Sequence, residues 1–344
     1  MKKIVFTGGG SAGHVMPNIA LMEELQDRYD LCYIGSDGVE KRIVAPLKIP
    51  YGQIACPKFV RGFSLRNFSI PLALRRAVKE AEEKLAAIRP DLVFSKGGYV
   101  ALPVVFAAKR LKIPCLTHES DLTLGLANRL MAGRCAFVLT SFPETAESVI
   151  NGRYTGSPLR RSVFGSDAGM ARAKYGFASR HKPVLLVLGG GSGSAAINAA
   201  LRKDLFSLCK KYYILHLCGR GNAVESNAAG YMQREFEEDM GAAYACADAV
   251  VARAGSNTVF ETLALKKPAL FIPLQNARTR GDQVKNARYF EERGMCRVLP
   301  ERNLDNLEAA IDGLMQDSAL RKNLKNCDVE SGNERIVACM EELL

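Results

Sequence analysis

The chain has no tryptophan, only four histidines among its 344 residues, and ten cysteines without a single C-x-x-C pair. Scattered thiols of this kind suggest neither a zinc site nor a disulfide framework, and they fit a reducing cytoplasm. No stretch approaches the roughly 18 consecutive apolar residues that a membrane span requires. The opening Met1-Lys2-Lys3-Ile4-Val5-Phe6 has too short an apolar run for a signal peptide, so the chain is expected to stay inside, with any membrane contact peripheral. Also lacking is a Lys/Arg block interleaved with aromatics, which places nucleic acid last among partners.

What the chain does carry is positive charge. A net charge of +11 and a pI near 9.2 point to an anionic partner, either a phosphorylated metabolite or an acidic lipid surface. A hydrophobic content of 48% is ample for the cores of two α/β domains, the natural organisation at this length.

The most informative stretch is Arg253-Ala254-Gly255-Ser256-Asn257-Thr258-Val259-Phe260-Glu261, between the apolar runs Ala249–Val251 and Ala269–Ile272. It reads as strand, tight turn, helix and strand. Such a turn brings backbone N–H groups and the positive end of a helix to the carboxyl edge of a parallel sheet, where anions bind. Glu261, about one and a half turns in, can reach a vicinal diol beside a phosphate, as on a ribose. Thr258 to Glu261 also satisfies a plain capping box.

Earlier in the chain, Ile4 to Phe6 empties into Thr7-Gly8-Gly9-Gly10-Ser11-Ala12-Gly13-His14, followed by helical spacing over Pro17 to Leu25. Gly8, Gly10 and Gly13 match G-x-G-x-x-G, but about 20 residues on, where a dinucleotide site needs a ribose acid, stand Cys32-Tyr33-Ile34-Gly35-Ser36 with Asp37 nearby. An NAD-dependent oxidoreductase is therefore the distant reading. His14 stands at the sheet's mouth, where an imidazole can take a proton from a substrate hydroxyl; the alternative is a space-filling residue at a helix start. Lys58 to Arg76 alternates Phe, Leu and Ile with basic residues, which suits either an anionic membrane interface or a loop leading into an amphipathic helix.

Two further strand ends deliver Lys96-Gly97-Gly98-Tyr99 and His118-Glu119-Ser120-Asp121, with Asn128 on the next helix. Polar tips at the ends of strands in a doubly wound sheet line a ligand site. After Gly156-Ser157-Pro158-Leu159-Arg160, which permits a hinge, the pattern restarts: strand Pro183–Leu188, glycine turn Gly189-Gly190-Gly191-Ser192-Gly193-Ser194, helix Ala195–Leu201. Two such restarts half a chain apart predict two Rossmann-like domains facing each other. Asp282, Gln283 and Asn286, at one helix start after the polar loop Gln275–Gly281, offer amide and carboxylate groups to sugar hydroxyls.

These motifs together, in this order and spacing over nearly the whole length, resemble the MurG family of glycosyltransferases, most closely its Firmicutes-type branch. The matching segments are Gly9–His14, Ser95–Tyr99, His118-Glu119, Leu126-Ala127-Asn128, Gly156–Arg160, Arg253-Ala254-Gly255-Ser256 through Glu261, and Asp282-Gln283 with Asn286. The resemblance implies a GT-B fold of two doubly wound domains facing a central cleft. Residues 1–160 would bind the acceptor and the membrane and 161–344 the donor, with the last helix open to a return to the first domain. It implies inverting transfer of N-acetylglucosamine from UDP-GlcNAc to the C4 hydroxyl of the N-acetylmuramyl unit of lipid I, giving lipid II on the cytoplasmic face of an anionic membrane. Other readings are a related lipid glycosyltransferase acting on diacylglycerol and a non-catalytic UDP-sugar-binding protein.

By the same resemblance, Glu261 would hold the ribose, and Gln283, with Asp282 and Asn286, the GlcNAc hydroxyls. Arg160, Arg253 and the Gly189–Ser194 turn, with Gly191 and Ser192, would hold the pyrophosphate. The Ser256 N–H behind Gly255 would stabilise the leaving group by dipole and arginine in place of a metal, and no cofactor is expected. Ser11, Gly13 and Asn128 complete the donor set. Gly10, Gly97, Gly98, Tyr99 and His118 would contact the acceptor, and either His14 or Glu119 would take the proton. The chain departs from the family in three places. Gly191 stands where a serine is common, Ser120-Asp121 follows His118-Glu119 where Gln-Asn is common, and Asp282 replaces a glutamine.

Overall fold

The computed structural model describes residues 1–57, 70–178, 181–275 and 280–344. Most of the basic-apolar segment Lys58–Arg76 and most of the loop Gln275–Gly281 lie outside them. Two units are formed: residues 1–160 with 331–344, and residues 161–330.

The first unit is built on seven strands, β1 (Lys3–Thr7), β2 (Asp30–Gly35), β3 (Tyr51–Gln53), β4 (Leu92–Ser95), β5 (Cys115–Glu119), β6 (Phe137–Thr140) and β7 (Gly152–Tyr154), in spatial order 3-2-1-4-5-6-7. Every pairing is parallel, so all carboxyl ends share one edge. The strands are short apolar runs because both faces are covered. Ile4 and Phe6 point into one core layer and Val5 into the other, all of them fully buried, as the two-residue period of a strand requires. Among the described residues, the α-helices between these strands are α1 (Ala12–Leu25), α2 (Val39–Val44), α3 (Ile70–Ile88), α4 (Ala101–Arg110), α5 (Leu126–Met131) and α6 (Pro143–Glu147).

The C-terminal helix, Asn333–Glu341, belongs to this unit. Its Ile336, Val337 and Met340 join the layer containing Ile4, Phe6 and the buried face of α1. Asn333 fixes its start by exchanging two hydrogen bonds with the backbone of Leu159, accepting from its N–H at 3.0 Å and donating to its carbonyl at 2.8 Å.

The second unit contains six parallel strands, β8 (Val184–Leu188), β9 (Tyr213–Leu217), β10 (Tyr231–Arg234), β11 (Ala249–Ala252), β12 (Ala269–Phe271) and β13 (Arg297–Val298). Their order, 10-9-8-11-12-13, is the 3-2-1-4-5-6 order of a Rossmann sheet. The helices are α7 (Ala168–Lys174), α8 (Ala195–Lys203), α9 (Leu205–Lys211), α10 (Met240–Cys246), α11 (Ser256–Ala264), α12 (Asp282–Glu292), α13 (Leu307–Gln316) and α14 (Ser318–Lys325). Each unit is thus the doubly wound sheet that the restarting pattern implies. Among the described residues no helix is long and apolar enough to cross a membrane.

Candidate active site

A doubly wound sheet binds ligands where its strand order reverses, outside the carboxyl ends of the two central strands. In the first unit those strands are β1 and β4, which end in Gly8–Ser11 and Lys96–Tyr99; in the second they are β8 and β11, which end in Gly189–Ser194 and Arg253–Gly255. Four of the five turns singled out by their residues therefore lie at the two reversal points. The fifth, His118–Asp121, follows β5, one strand away.

At the first reversal point, α1 begins directly after the glycines, with Ser11 at its N-cap position. The Ser11 hydroxyl lies 3.0 Å from His14 Nδ1, which orients the ring from within the first helical turn. Gly98 (φ +80°) passes so close that a Cβ there would stand 3.3 Å from His14 Nδ1 and 2.5 Å from the Gly9 carbonyl oxygen. The Tyr99 ring covers Gly10 in the same manner. Ser11, Gly10 and Gly13 are exposed, and His14 and Tyr99 are partly so, and these residues form one polar surface. Beneath it, Asn18 donates to the Thr7 carbonyl at 3.1 Å, and the Tyr33 hydroxyl donates to the Gly8 carbonyl at 2.6 Å.

Three of the expected ligand contacts also make hydrogen bonds within the first unit. Asn128 is 5% exposed; its amide donates to the His118 carbonyl and the Glu119 carboxylate, and its carbonyl accepts from Thr117. Glu119 accepts from the Asp121 N–H at 3.0 Å, the Gly125 N–H at 2.7 Å and Asn128 at 2.9 Å, and so ties the loop after β5 to α5. His118 is fully buried, and its Nε2–H donates to the Gly156 carbonyl at 2.9 Å. Burial, with the nearby Lys96 charge, pushes its pKa well below the usual histidine value, so the ring is neutral.

Lys96, which lies in the Ser95–Tyr99 segment without an expected ligand role, is 2% exposed, and its ammonium donates to the Ser120 hydroxyl. Burial pulls its pKa down to about 8, a shift that the carboxylates of Glu119 and Asp121 oppose. Between about 8 and the ordinary 10.5, an unfolded chain holds this proton while the folded one releases it, so stability rises with pH across that window. Replacing Lys96 with Met should abolish the gain: the melting-temperature difference between wild type and variant should move in favour of wild type from pH 7.5 to 9.5. An unchanged difference would show that Lys96 titrates normally.

At the second reversal point the glycine turn behaves differently. Gly190 (φ +83°) and Gly191 have no neighbouring atom where a Cβ would stand, so the turn is open on that side, while the Gly190 carbonyl accepts from the Gly193 N–H at 2.9 Å. Ser194 caps α8, accepting from the Ile197 N–H, and Ser192 is exposed. Asn198 donates to the Cys218 carbonyl at 2.9 Å and accepts from His216 Nε2–H at 2.9 Å. This is the same device as Asn18 in the first unit, an amide on the second turn of the first helix gripping a carbonyl at the sheet edge. His216 is fully buried, its pKa pulled down to about 4 by burial, and its Nδ1 accepts from the Tyr231 hydroxyl.

Helix α11 starts at Ser256 behind Gly255, an N-cap with no side chain, and its first N–H groups carry the helix's positive end. Glu261 is half-buried on its second turn and accepts from the hydroxyl of the buried Tyr244 at 3.1 Å. Arg253 is 9% exposed; it pairs with Glu301 and donates to the Ile272 carbonyl. On α12, Gln283 accepts from the Leu274 N–H at 2.8 Å and Asp282 pairs with Arg280 at 2.9 Å, both partly exposed, whereas Asn286 is 1% exposed. Arg160, partly exposed, ends the first segment of the first unit, and its charge acts on Glu23 of α1.

The chain matches the glycosyltransferase family 28 N-terminal domain over residues 4–140 and the glycosyltransferase family 28 C-terminal domain over residues 184–338. It is 41% identical to a protein of Clostridium novyi (strain NT), over 99% of this chain and 98% of that one. It is 40% identical to a protein of Lachnoclostridium phytofermentans, over 100% and 99%. Both relatives bear the name UDP-N-acetylglucosamine--N-acetylmuramyl-(pentapeptide) pyrophosphoryl-undecaprenol N-acetylglucosamine transferase. The fold matches the crystal structure of Acinetobacter baumannii MurG with a TM-score of 0.76 at 24% identity, covering 99% of this chain and 100% of that one.

Proposed function

This chain belongs to glycosyltransferase family 28 and, within it, to the MurG family, and from that premise we propose that it transfers N-acetylglucosamine from UDP-GlcNAc to the C4 hydroxyl of the N-acetylmuramyl unit of lipid I, forming lipid II. The observation that carries this reading is identity of 40–41% to relatives of that name over essentially the full length of both chains.

In this reading the first unit takes the acceptor and the second the donor. His14 removes the proton from the C4 hydroxyl as that oxygen bonds to the anomeric carbon of GlcNAc from the face opposite the diphosphate. The bond from the anomeric carbon to the diphosphate oxygen breaks, UDP leaves with the electron pair, and the configuration inverts. Negative charge grows on the departing diphosphate, where the open side of the turn at Gly190 and Gly191 and the uncapped start of α11 are suited to receive it. Glu261 takes the ribose diol and Gln283 the sugar hydroxyls. The three hydrogen bonds that the Glu119 carboxylate accepts support assigning the proton to His14.

The acceptor's lipid tail requires work at a membrane surface, which we assign to the cytoplasmic face. Helix α3 supports this: Leu72 is 58% exposed, and Arg75 and Arg76 beside it are exposed, an apolar group flanked by cations suited to anionic headgroups. The decisive test incubates purified protein with labelled UDP-GlcNAc and a short-chain lipid I analogue. Release of UDP with formation of the β-linked disaccharide is expected. Donor binding without disaccharide, or transfer to diacylglycerol instead, would overturn the acceptor assignment.

A further inference from the structure

Glu40 lies on α2, 30 residues beyond Gly10, and it is fully buried. Its carboxylate accepts from the Gly10 N–H at 3.2 Å, from the Ser36 N–H at 2.9 Å, and from the Ser36 hydroxyl. Three donors thus converge on this one carboxylate. Two loops are shaped around it. A Cβ on Gly9 would stand 2.5 Å from Glu40 Cδ, and one on Gly38 2.9 Å from Glu40 Oε2. The charge also reaches the Tyr99 phenol, whose pKa is raised first by burial and then by Glu40.

The two glycine turns, so alike in sequence, therefore differ in what stands against them. In the second unit the turn is open beside Gly190 and Gly191; in the first, the Gly10 N–H donates to a resident carboxylate. A turn with its own carboxylate is poorly suited to a phosphate and well suited to being held still. The atoms it holds lead directly to His14, since Gly10 carries Ser11 and the Ser11 hydroxyl fixes the His14 ring. The start of α1 places a positive helix end beside that ring, which disfavours an imidazolium, and a carboxylate under the same turn offsets it.

We infer that Glu40 is a positioning residue of the proposed reaction: its carboxylate fixes the Gly9–Ser11 turn and, through Ser11, sets the orientation and basicity of His14. This rests on the transferase reading above, and the test separates the two. In the full-length protein, Glu40→Gln keeps the shape but places an amide N–H₂ against a backbone N–H and removes the charge. Its kcat with the lipid I analogue should fall about tenfold, with UDP-GlcNAc affinity within about twofold of wild type. The acid limb of kcat should move to lower pH, because His14 loses a stabilising anion. Glu40→Asp, which keeps the charge on a shorter stem, should lose part of kcat and leave the limb in place.

With only four histidines in the chain, the His14 imidazole can be assigned by NMR against a His14→Ala sample and titrated without any turnover. Its pKa should fall in Glu40→Gln. Wild-type kcat and an unmoved His14 titration in Glu40→Gln would overturn the inference, as would parallel loss of donor binding, which would mark Glu40 as structural only. If wild type itself makes no disaccharide, the transferase reading fails, while the imidazole titration still decides Glu40.

Discussion

His14→Ala is expected to lower turnover by roughly 10²- to 10⁴-fold, the usual worth of a positioned general base, with UDP-GlcNAc affinity unchanged. The expectation comes from where the ring is held. Its Nδ1 is 3.0 Å from the Ser11 hydroxyl; in the tautomer whose Nδ1–H donates there, the lone pair sits on Nε2, the atom that would meet an acceptor hydroxyl. Gly98 packs against the ring's edge, so the imidazole has little room to turn away. Donor affinity should be spared because most candidate nucleotide residues follow β8, β11 and β12 in the other unit, and those in the first unit, Ser11, Gly13, Asn128 and Arg160, are left in place by the substitution. The measurement is steady-state kcat with the lipid I analogue beside a direct UDP-GlcNAc titration. Near-normal turnover would return the proton to another group, and equal loss of binding and turnover would make His14 a structural residue.

The fold was legible because its signals are local. Each strand is a short apolar run that ends in a turn, and a glycine turn leading into helical spacing occurs in both halves of the chain, so two doubly wound sheets follow from order alone. The C-terminal helix was harder. Asn333–Glu341 is an ordinary amphipathic segment, and only the apolar layer under Ile4 and Phe6, together with the exchange of hydrogen bonds between Asn333 and Leu159, places it with the first unit.

The candidate site was legible in its backbone and less so in its side chains. Glycine turns announce themselves, but a polar residue at a strand tip can face a ligand or face inward. Glu119 is engaged by the returning loop through the Asp121 and Gly125 N–H groups, His118 by the Gly156 carbonyl and Asn128 by Thr117 and the end of β5, and nothing in the one-dimensional pattern encodes those meetings. Arg253 is paired with Glu301, 48 residues away, and the Gly10 turn is braced by Glu40 from an unremarkable helix. One usable signal was present. Asn18 and Asn198 stand at nearly the same distance after their strands, and a buried amide recurring behind each glycine turn marks a brace rather than a ligand contact.

Glu261→Ala should weaken UDP-GlcNAc binding by roughly 5- to 150-fold, the equivalent of about 1 to 3 kcal/mol for a polar partner left unpaired, with the fold intact. Glu261 lies on the second turn of α11, about 7 Å along the axis from Ser256 by the helix rise of 1.5 Å per residue, a separation that suits a ribose beside a diphosphate at the helix start. Its direction is set by the Tyr244 hydroxyl, which comes from a fully buried ring on α10 and donates at 3.1 Å. A capping role would place the cost elsewhere. The N-cap of α11 is Gly255, which has no side chain to complete a reciprocal box with Glu261, so the carboxylate contributes little to the start of the helix. Loss of stability without loss of donor affinity in Glu261→Ala would therefore contradict the ribose assignment. Tyr244→Phe provides the internal check. It leaves the carboxylate in place but removes its orienting hydroxyl, so donor affinity should fall in the same direction by a smaller factor. If instead Tyr244→Phe matched Glu261→Ala in full, the donor contact would belong to the pair rather than to the carboxylate alone.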